Sequence, residues 1–363
     1  FAELLGRRLD EHERDTLPRL DATLARKLLA RLDAIPLFAH AYTHLMNFTH
    51  GSFCPVDLLD FAWRHTLSGV CIHLADGEAR SLGRADDAAL DAFGERARRL
   101  GLAIHLEISS TAREDVERAV HVAHRTGAKH LRVYSRYEGY LSAVMARVRA
   151  DLRHLADQAD RHDLQIHFEQ HEELKSAEIA ALLAEVAHPR LAALFDFGNM
   201  INAAETPMAA LRHLSPWISQ AHLKGVRIVH DGPGAGHVGV LQGSAEDDLP
   251  GPRMLFELLM LGEHEPQVIA LALEQENHYR APMFRHRDEP PDPFIPFREM
   301  SETALPEGMD MADFIAGEPR WANDQIRVVR GILGELRTLA ECTLLAERVG
   351  LRGSADQIGR AHV

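Results

Sequence analysis

Short runs in which apolar and ionisable residues alternate recur along the chain, and most are followed by a longer run with apolar residues three and four apart. The first spacing is that of a strand with two unlike faces and the second that of an amphipathic helix. Strand-like runs cover Leu37–His44, Val70–Asp76, Leu102–Ser109, His130–Arg136, Leu164–Glu169, Leu191–Asp196, Ile218–Lys224 and Val268–Glu276. Helical spacing covers Pro55–Leu67, Ala85–Leu100, Thr111–Thr126, Leu141–His162, Ser176–Val186, Pro207–Leu214 and Pro252–Gly262. The early units repeat roughly every 26 to 33 residues, the size of successive β/α units, and eight of them predict a closed parallel (β/α)8 barrel. Leu20–Leu32 predicts an additional N-terminal helix over the barrel's bottom. The segment "HDGPGAGHVGVLQGS" reads as an irregular, mobile loop near the site. After the eighth strand, the Pro-rich stretch from "RHRDEPPDPFIPFREM" to about Pro319 reads as an ordered flap or an arm to another subunit. A final helix with Ile326, Val329, Leu333, Leu336 and Leu339 on one stripe ends near Gly350. The domain reading is therefore a helical extension over 1–35, a barrel over 36–350 that contains the insertion 281–320 and the helix 322–350, and a tail over 351–363.

In such a barrel the outward face of each strand packs on the helix ring, and inward residues near the strand's carboxyl end line the mouth. "LQIHFEQHEEL" then places Ile166 and Phe168 against helices and Gln165, His167 and Glu169 inside. The same parity turns inward His40, Tyr42 and His44; His73; His105 and Glu107; Arg132, Tyr134 and Arg136; Asp196; Gln220, His222 and Lys224; and Glu274 and Glu276. So many ionisable groups at one mouth are costly to desolvate unless they are paired, solvated or bound to a cation, and a metal ion answers that best.

Composition narrows the partners. The 363 residues are 46% hydrophobic and 26% charged, as in an ordinary globular protein, and the formal charge of −14 gives no general attraction for nucleic acid or anionic lipid. Three scattered cysteines, Cys54, Cys71 and Cys342, form neither a disulfide framework nor a thiolate zinc site, so a reducing cytoplasm is the expected compartment. No apolar run is long enough to cross a bilayer, and the start is not signal-like.

Four segments in order, "FEQHEELKSAEI", "LFDFGN", "AHLKG" and "LALEQEN", resemble the signatures of the xylose isomerase-like TIM barrel superfamily, the sugar phosphate isomerase/epimerase group. The resemblance runs from the first strand to the eighth and leaves out the N-terminal helix, the Pro-rich insertion and the tail. It implies a divalent metal, Mn2+, Mg2+, Co2+ or Zn2+, held by Glu169, Asp196, His222 and Glu274, a hard-ligand set with open positions for substrate oxygens. Glu276 points the same way as Glu274 and is the second choice for the last ligand. The resemblance further implies isomerisation or epimerisation of a sugar, sugar phosphate or sugar acid through a metal-stabilised enediolate, with Glu169 and Glu274 moving the proton and Lys224 assisting. His171, Arg132, Arg136, His105, Glu107 and His44 are the candidate substrate-binding residues.

Plainer roles stand beside these. His171 and Glu172 serve equally as caps for the helix that begins near Ser176, and Arg132 and Arg136 as ion-pair partners of Glu107 or Glu138. Lone His40, His73 and His105 suit hydrogen-bonded pocket walls. The alternative reaction is metal-dependent lysis, a decarboxylase or dehydratase acting on a 3-oxo sugar acid or related keto acid, since the same charge stabilisation serves C–C or C–O cleavage. A nuclease of the apurinic-site type would need further ligands and a basic groove, against which the acidic balance argues. A binding protein without turnover is the weakest reading. The expected partners are a small carbohydrate and, by analogy, a second copy of the chain, with no nucleic acid and no membrane.

Overall fold

The computed structural model describes residues 17–297, 305 and 307–350. Eight parallel strands close a barrel: β1 (Leu37–His40), β2 (Gly69–His73), β3 (Ala103–Ile108), β4 (His130–Val133), β6 (Gln165–Glu169), β7 (Leu191–Asp196), β8 (Ile218–Leu223) and β11 (Ala270–Leu273), with β11 paired back onto β1. Helices follow the strands and are ended by local chemistry. Asp86, for example, caps Asp87–Leu100 by accepting from the Ala89 N–H at 2.9 Å, and Gly101 closes that helix at φ 70°. The outward residues Ile104, Leu106, Ile166, Phe168, Phe195, Leu223 and Leu271 join one core between sheet and helices. Inside the barrel, Phe38, Cys71, Ala270 and Ala272 pack together at its lower end.

The strands are shorter than the alternation predicts, because the polar residues at their ends leave the ladder to form the mouth. The first strand stops at His40, and Ala41–His44 turns into a 3-10 helix when the His40 side chain accepts from the Tyr42 N–H at 3.1 Å. β11 ends at Leu273, so Glu274 and Glu276 lie on the loop beyond it. The helix Ala22–Ala34 joins the outer helix layer, burying Ala25 and Leu28 with Phe256, Leu259, Leu336 and Ala340.

Two further differences shape the mouth. The glycine-rich segment is an antiparallel hairpin of β9 (Gly225–Asp231) and β10 (Gly234–Val240), extended by β12 (Arg280–Ala281). Its glycines serve close approach: a Cβ on Gly236 would lie 2.4 Å from the Ala281 carbonyl oxygen, and one on Gly239 only 1.7 Å from that of Glu276. The Pro-rich insertion folds back as well, β13 (Phe294–Ile295) pairing with β5 (Gly139–Tyr140). The final helix, Met311–Arg348, begins about ten residues earlier than its apolar stripe predicts and carries Pro319 inside it. Proline has no N–H to offer the Ile315 carbonyl four residues back. Asn47 Nδ2 takes that acceptor at 2.8 Å instead. Residues 1–16, 298–304, 306 and 351–363, and with them part of the expected insertion and the tail, lie outside the described residues.

Gly239→Ala should cost about 3 kcal/mol in urea unfolding, as expected for an overpacked contact, while Gly331→Ala, whose methyl meets nothing in the final helix, should gain up to about 1 kcal/mol. Equal stabilities for the two variants would contradict the close approach of hairpin and loop.

Candidate active site

At the carboxyl ends of the strands, Glu169, Asp196, His222, Lys224 and Glu274 are all buried. Four of them turn a buried polar atom toward the common centre that makes no geometrically formed hydrogen bond and meets only ion-pair contacts: Glu169 Oε2 beside Arg132, Asp196 Oδ2 and Glu274 Oε2 beside Lys224, and His222 Nδ1 beside Glu274. Asp196 Oδ1 accepts from the Gly198 and Asn199 N–H groups at 2.7 and 2.9 Å, which turns Oδ2 inward. Glu169 Oε1 faces Asn199 Nδ2 at 3.2 Å. His222 Nε2 meets Glu107 Oε1 at 3.2 Å, leaving Nδ1 3.3 Å from Glu274 Oε1 and 3.7 Å from Glu169 Oε1. Donor atoms of Glu169, Asp196 and His222 lie within 4.8 Å of one another, as do those of His40, His222 and Glu274. His40 is the less suited of these, because its Nδ1 accepts from the Tyr42 N–H and Nε2 then carries the proton toward Glu107 (3.2 Å) and Glu274 (3.3 Å).

Beneath this group, Glu107 organises the layer. Its Oε2 accepts from Arg132 Nη2 at 2.6 Å and faces His40, while Oε1 faces His222 across the barrel. Burial alone would raise the Glu107 pKa, but Arg132, His40 and His222 outweigh it and hold the carboxyl well below the usual range. Arg132 Nε also reaches Glu169 Oε2 at 3.2 Å. A carboxylate holding the far nitrogen of a ligating imidazole is the usual support of a metal centre.

Lys224 Nζ lies 3.0 Å from Asp196 Oδ2, 2.8 Å from Glu274 Oε2 and 2.7 Å from Glu276 Oε2. Five carboxylates, Glu107, Glu169, Asp196, Glu274 and Glu276, thus face two permanent cations, Arg132 and Lys224. Burial pushes the Asp196 carboxyl up to about 6 and the Glu276 carboxyl up to about 8, against the pull of Lys224 in both cases. The crowding of buried carboxylates about one imidazole nitrogen and the hard oxygen-plus-imidazole set both fit a divalent cation. Glu274 faces His222, whereas Glu276 faces Lys224, so Glu274 is the better placed of the two for the last ligand.

The cavity above is lined by Arg132, Tyr134, Arg136, His171, Lys224 and Tyr279 among others. His171 stacks on Tyr134 with centroids 3.8 Å apart, and the Arg132 guanidinium lies 5.2 Å from the other ring's centre, that of Tyr134. Burial works against a charged His171, but Tyr134 and Glu173 outweigh it and raise its pKa well above the ordinary value. The Arg136 guanidinium lies over Phe297 at 5.2 Å. The cap of Ser176–Val186 is made by Glu178, which accepts from the Lys175 N–H at 2.8 Å, and not by His171 or Glu172.

Of the residues that the sequence assigns to substrate binding, Arg132, Arg136 and His171 line the cavity. Glu107 lies under it. His105 sits one layer lower, 3.0 Å from Gln220 and stacked near Phe38, and so does not reach the cavity. His44 is displaced altogether: the strand ends before it, and its ring enters an apolar pocket between Phe53 (4.7 Å) and Phe61 (4.8 Å) with neither nitrogen bonded. Tyr279, Pro282 and Phe284, which also line the cavity, come from the irregular stretch after β11, where no periodicity marks them. Asn199 stood inside the "DFGN" segment, and its amide on Glu169 gives that position its role.

A family model described as xylose isomerase-like TIM barrel matches residues 75–266. The Escherichia coli (strain K12) protein named "Uncharacterized protein YihM" is 43% identical over 313 residues, covering 86% of this chain and 95% of that one. Among solved structures, D-psicose 3-epimerase in the presence of D-fructose superposes with a TM-score of 0.55 at 13% identity, over 83% of this chain and 100% of that chain. A xylose isomerase-like TIM barrel protein from Mycobacterium smegmatis in complex with magnesium gives 0.52 at 13% identity, over 85% and 99%. At these identities the two structures show the shared fold.

Burial pushes the His44 pKa from 6.5 down to about 4. Its neutral ring therefore supports the fold above pH 6.5, and that support is lost as pH falls from 6.5 through 4. His44→Phe should lose roughly 2 kcal/mol less stability than the parent between pH 7 and pH 4.5 in urea titrations; parallel losses would contradict an unpartnered ring. Glu107→Gln should weaken Mn2+ binding about 10- to 100-fold in calorimetric titration, as loss of an outer-layer anchor does. Unchanged binding would remove Glu107 from the support of the centre.

Proposed function

The chain belongs to the xylose isomerase-like TIM barrel family, and on that footing we propose that it is a divalent-metal-dependent enzyme that isomerises or epimerises a sugar, sugar phosphate or sugar acid. The observation that carries this reading is the convergence of carboxylate oxygens of Glu169, Asp196 and Glu274 on His222 Nδ1, at 3.7, 4.0 and 3.3 Å, at the barrel mouth. A divalent cation held there would polarise neighbouring carbonyl and hydroxyl oxygens of a substrate and acidify the C–H beside them. Glu169 and Glu274 approach the centre from β6 and from the loop after β11 and are the groups to take and return that proton. Lys224 and Arg132 lie within ion-pair distance of Glu274 and Glu169 and offer N–H donors to substrate oxygens. The stacked Tyr134 and His171 wall one side of the cavity. D-psicose 3-epimerase, named for epimerising a sugar, shares the fold and adds analogy to this reading.

A second reaction is favoured by one feature. Arg132, Arg136, His171 and Lys224 all line the cavity, a set of cations suited to a carboxylate and to protonating a leaving group. On that ground, metal-dependent lysis of a 3-oxo sugar acid or related keto acid is the alternative.

Mn2+-loaded protein incubated in D2O with a panel of ketoses and 3-oxo sugar acids separates the two. Deuterium entering the sugar with all carbon and oxygen retained supports isomerisation or epimerisation, whereas released CO₂ or water supports lysis. Glu169→Gln and Asp196→Asn should lower turnover at least 100-fold and weaken Mn2+ uptake while the folded circular-dichroism spectrum is kept. Full-rate turnover by protein stripped with a chelator would overturn the proposal.

A further inference from the structure

We infer that Glu172, a residue the reaction above does not use, contacts the substrate: its carboxylate accepts a hydrogen bond from a hydroxyl of the bound sugar. This rests on the sugar-converting reading above. Glu172 lines the catalytic cavity and is only 6% exposed. The other acids of that wall are answered from within the protein, Glu169 by Arg132, Glu173 by His171, and Glu274 and Glu276 by Lys224. Among the described residues, no hydrogen bond or ion pair reaches the Glu172 carboxyl. A carboxyl buried without a donor is costly, and the space it borders is the one a substrate would enter.

The chain fastens Glu172 in that wall from both sides. Directly after Glu169 the backbone bends, the His171 N–H donating to the Glu169 carbonyl at 2.9 Å, and the His171 ring is stacked on Tyr134. On the other side Leu174 enters the core between sheet and helices. The Glu173 carbonyl accepts from Nη1 of the buried Arg285 at 3.1 Å, and the same guanidinium holds both Glu178 oxygens at 2.9 Å. The turn that carries Glu172 is therefore tied to β4, to the helix Ser176–Val186 and to the segment after β12 at once. A side chain placed so firmly beside a cavity, with no protein partner, is preorganised for a ligand.

Charge selects the group that it takes. Arg132, Arg136 and Lys224 stand in the same wall with the charged His171, so an ammonium group brought to Glu172 would meet several like charges. A phosphate or carboxylate would meet Glu172 itself. A hydroxyl carries no charge to be repelled and supplies the donor that the carboxylate lacks.

The test is calorimetric titration of the full chain, with Mn2+ saturating, against D-fructose and its 1-, 3-, 4-, 5- and 6-deoxy analogues. At least one analogue should bind the parent about ten-fold or more weaker than D-fructose, as loss of a hydrogen bond to a charged group requires. Glu172→Ala should bind D-fructose about as weakly as the parent binds that analogue, and should bind the two sugars within about two-fold of each other, because both changes remove the same contact. Glu172→Gln, which keeps an oxygen to accept the bond, should recover part of the loss. An unchanged D-fructose constant in Glu172→Ala overturns the inference. So does a loss that adds to that of every deoxy analogue, which would mark a disturbed wall and not a lost contact, and so does failure of the parent to bind any of these sugars. Deuterium exchange into D-fructose that Glu172→Ala leaves unaltered in KM and kcat keeps the sugar-converting reading and refutes the contact. A Glu172-dependent preference among the analogues with no exchange into any sugar does the reverse.

Discussion

Carboxylates crowded at one end of a closed barrel must be charge-compensated, and the arrangement of the mouth follows from that need. Glu107, Glu169, Asp196, Glu274 and Glu276 approach one another inside a low-dielectric wall, where an unpaired charge costs several kcal/mol. Arg132 and Lys224 each answer more than one of them, Arg132 between Glu107 and Glu169 and Lys224 among Asp196, Glu274 and Glu276. Oxygens of Glu169, Asp196 and Glu274 converge on His222 Nδ1 as a result. On the proposed reading, a dication there would relieve the same crowding that sets the geometry.

The rest of the fold serves to enclose that mouth. The β9–β10 hairpin lies across the loop after β11, with glycines at the crossing points, and the loop in turn delivers Tyr279, Pro282 and Phe284 to the cavity. The final helix is bound to the loop after β1 by Glu318 and by a hydrogen bond that a helix without Pro319 would have satisfied internally. Elements remote in the chain therefore fix the walls of the mouth relative to one another.

The division between reaction and specificity follows the same lines. On the proposed reading, side chains on the barrel strands and the loops just beyond them are the metal ligands and the proton-moving carboxylates. Phe314 and Trp321 lie on the final helix, outside residues 75–266 that the family model matches.

Much of this architecture could be read directly from the chain. Period-two alternation decided that Ile166 and Phe168 face helices while His167 and Glu169 face inward, since a strand allows only two faces, and the repeat length decided a closed ring of parallel strands. The set Glu169, Asp196, His222 and Glu274 was legible through the resemblance of four ordered segments to the superfamily's signatures. Only the tertiary structure decided where strands stop, and so sent His44 into an apolar pocket beside Phe53 and left Tyr42 at the cavity. Only it decided that Glu107 meets His222, 115 residues away, that Glu276 belongs to Lys224, and that a glycine-rich stretch is a tight hairpin. Local pattern records which way a side chain faces, whereas partnerships depend on distances between segments that the chain brings together only when the barrel closes.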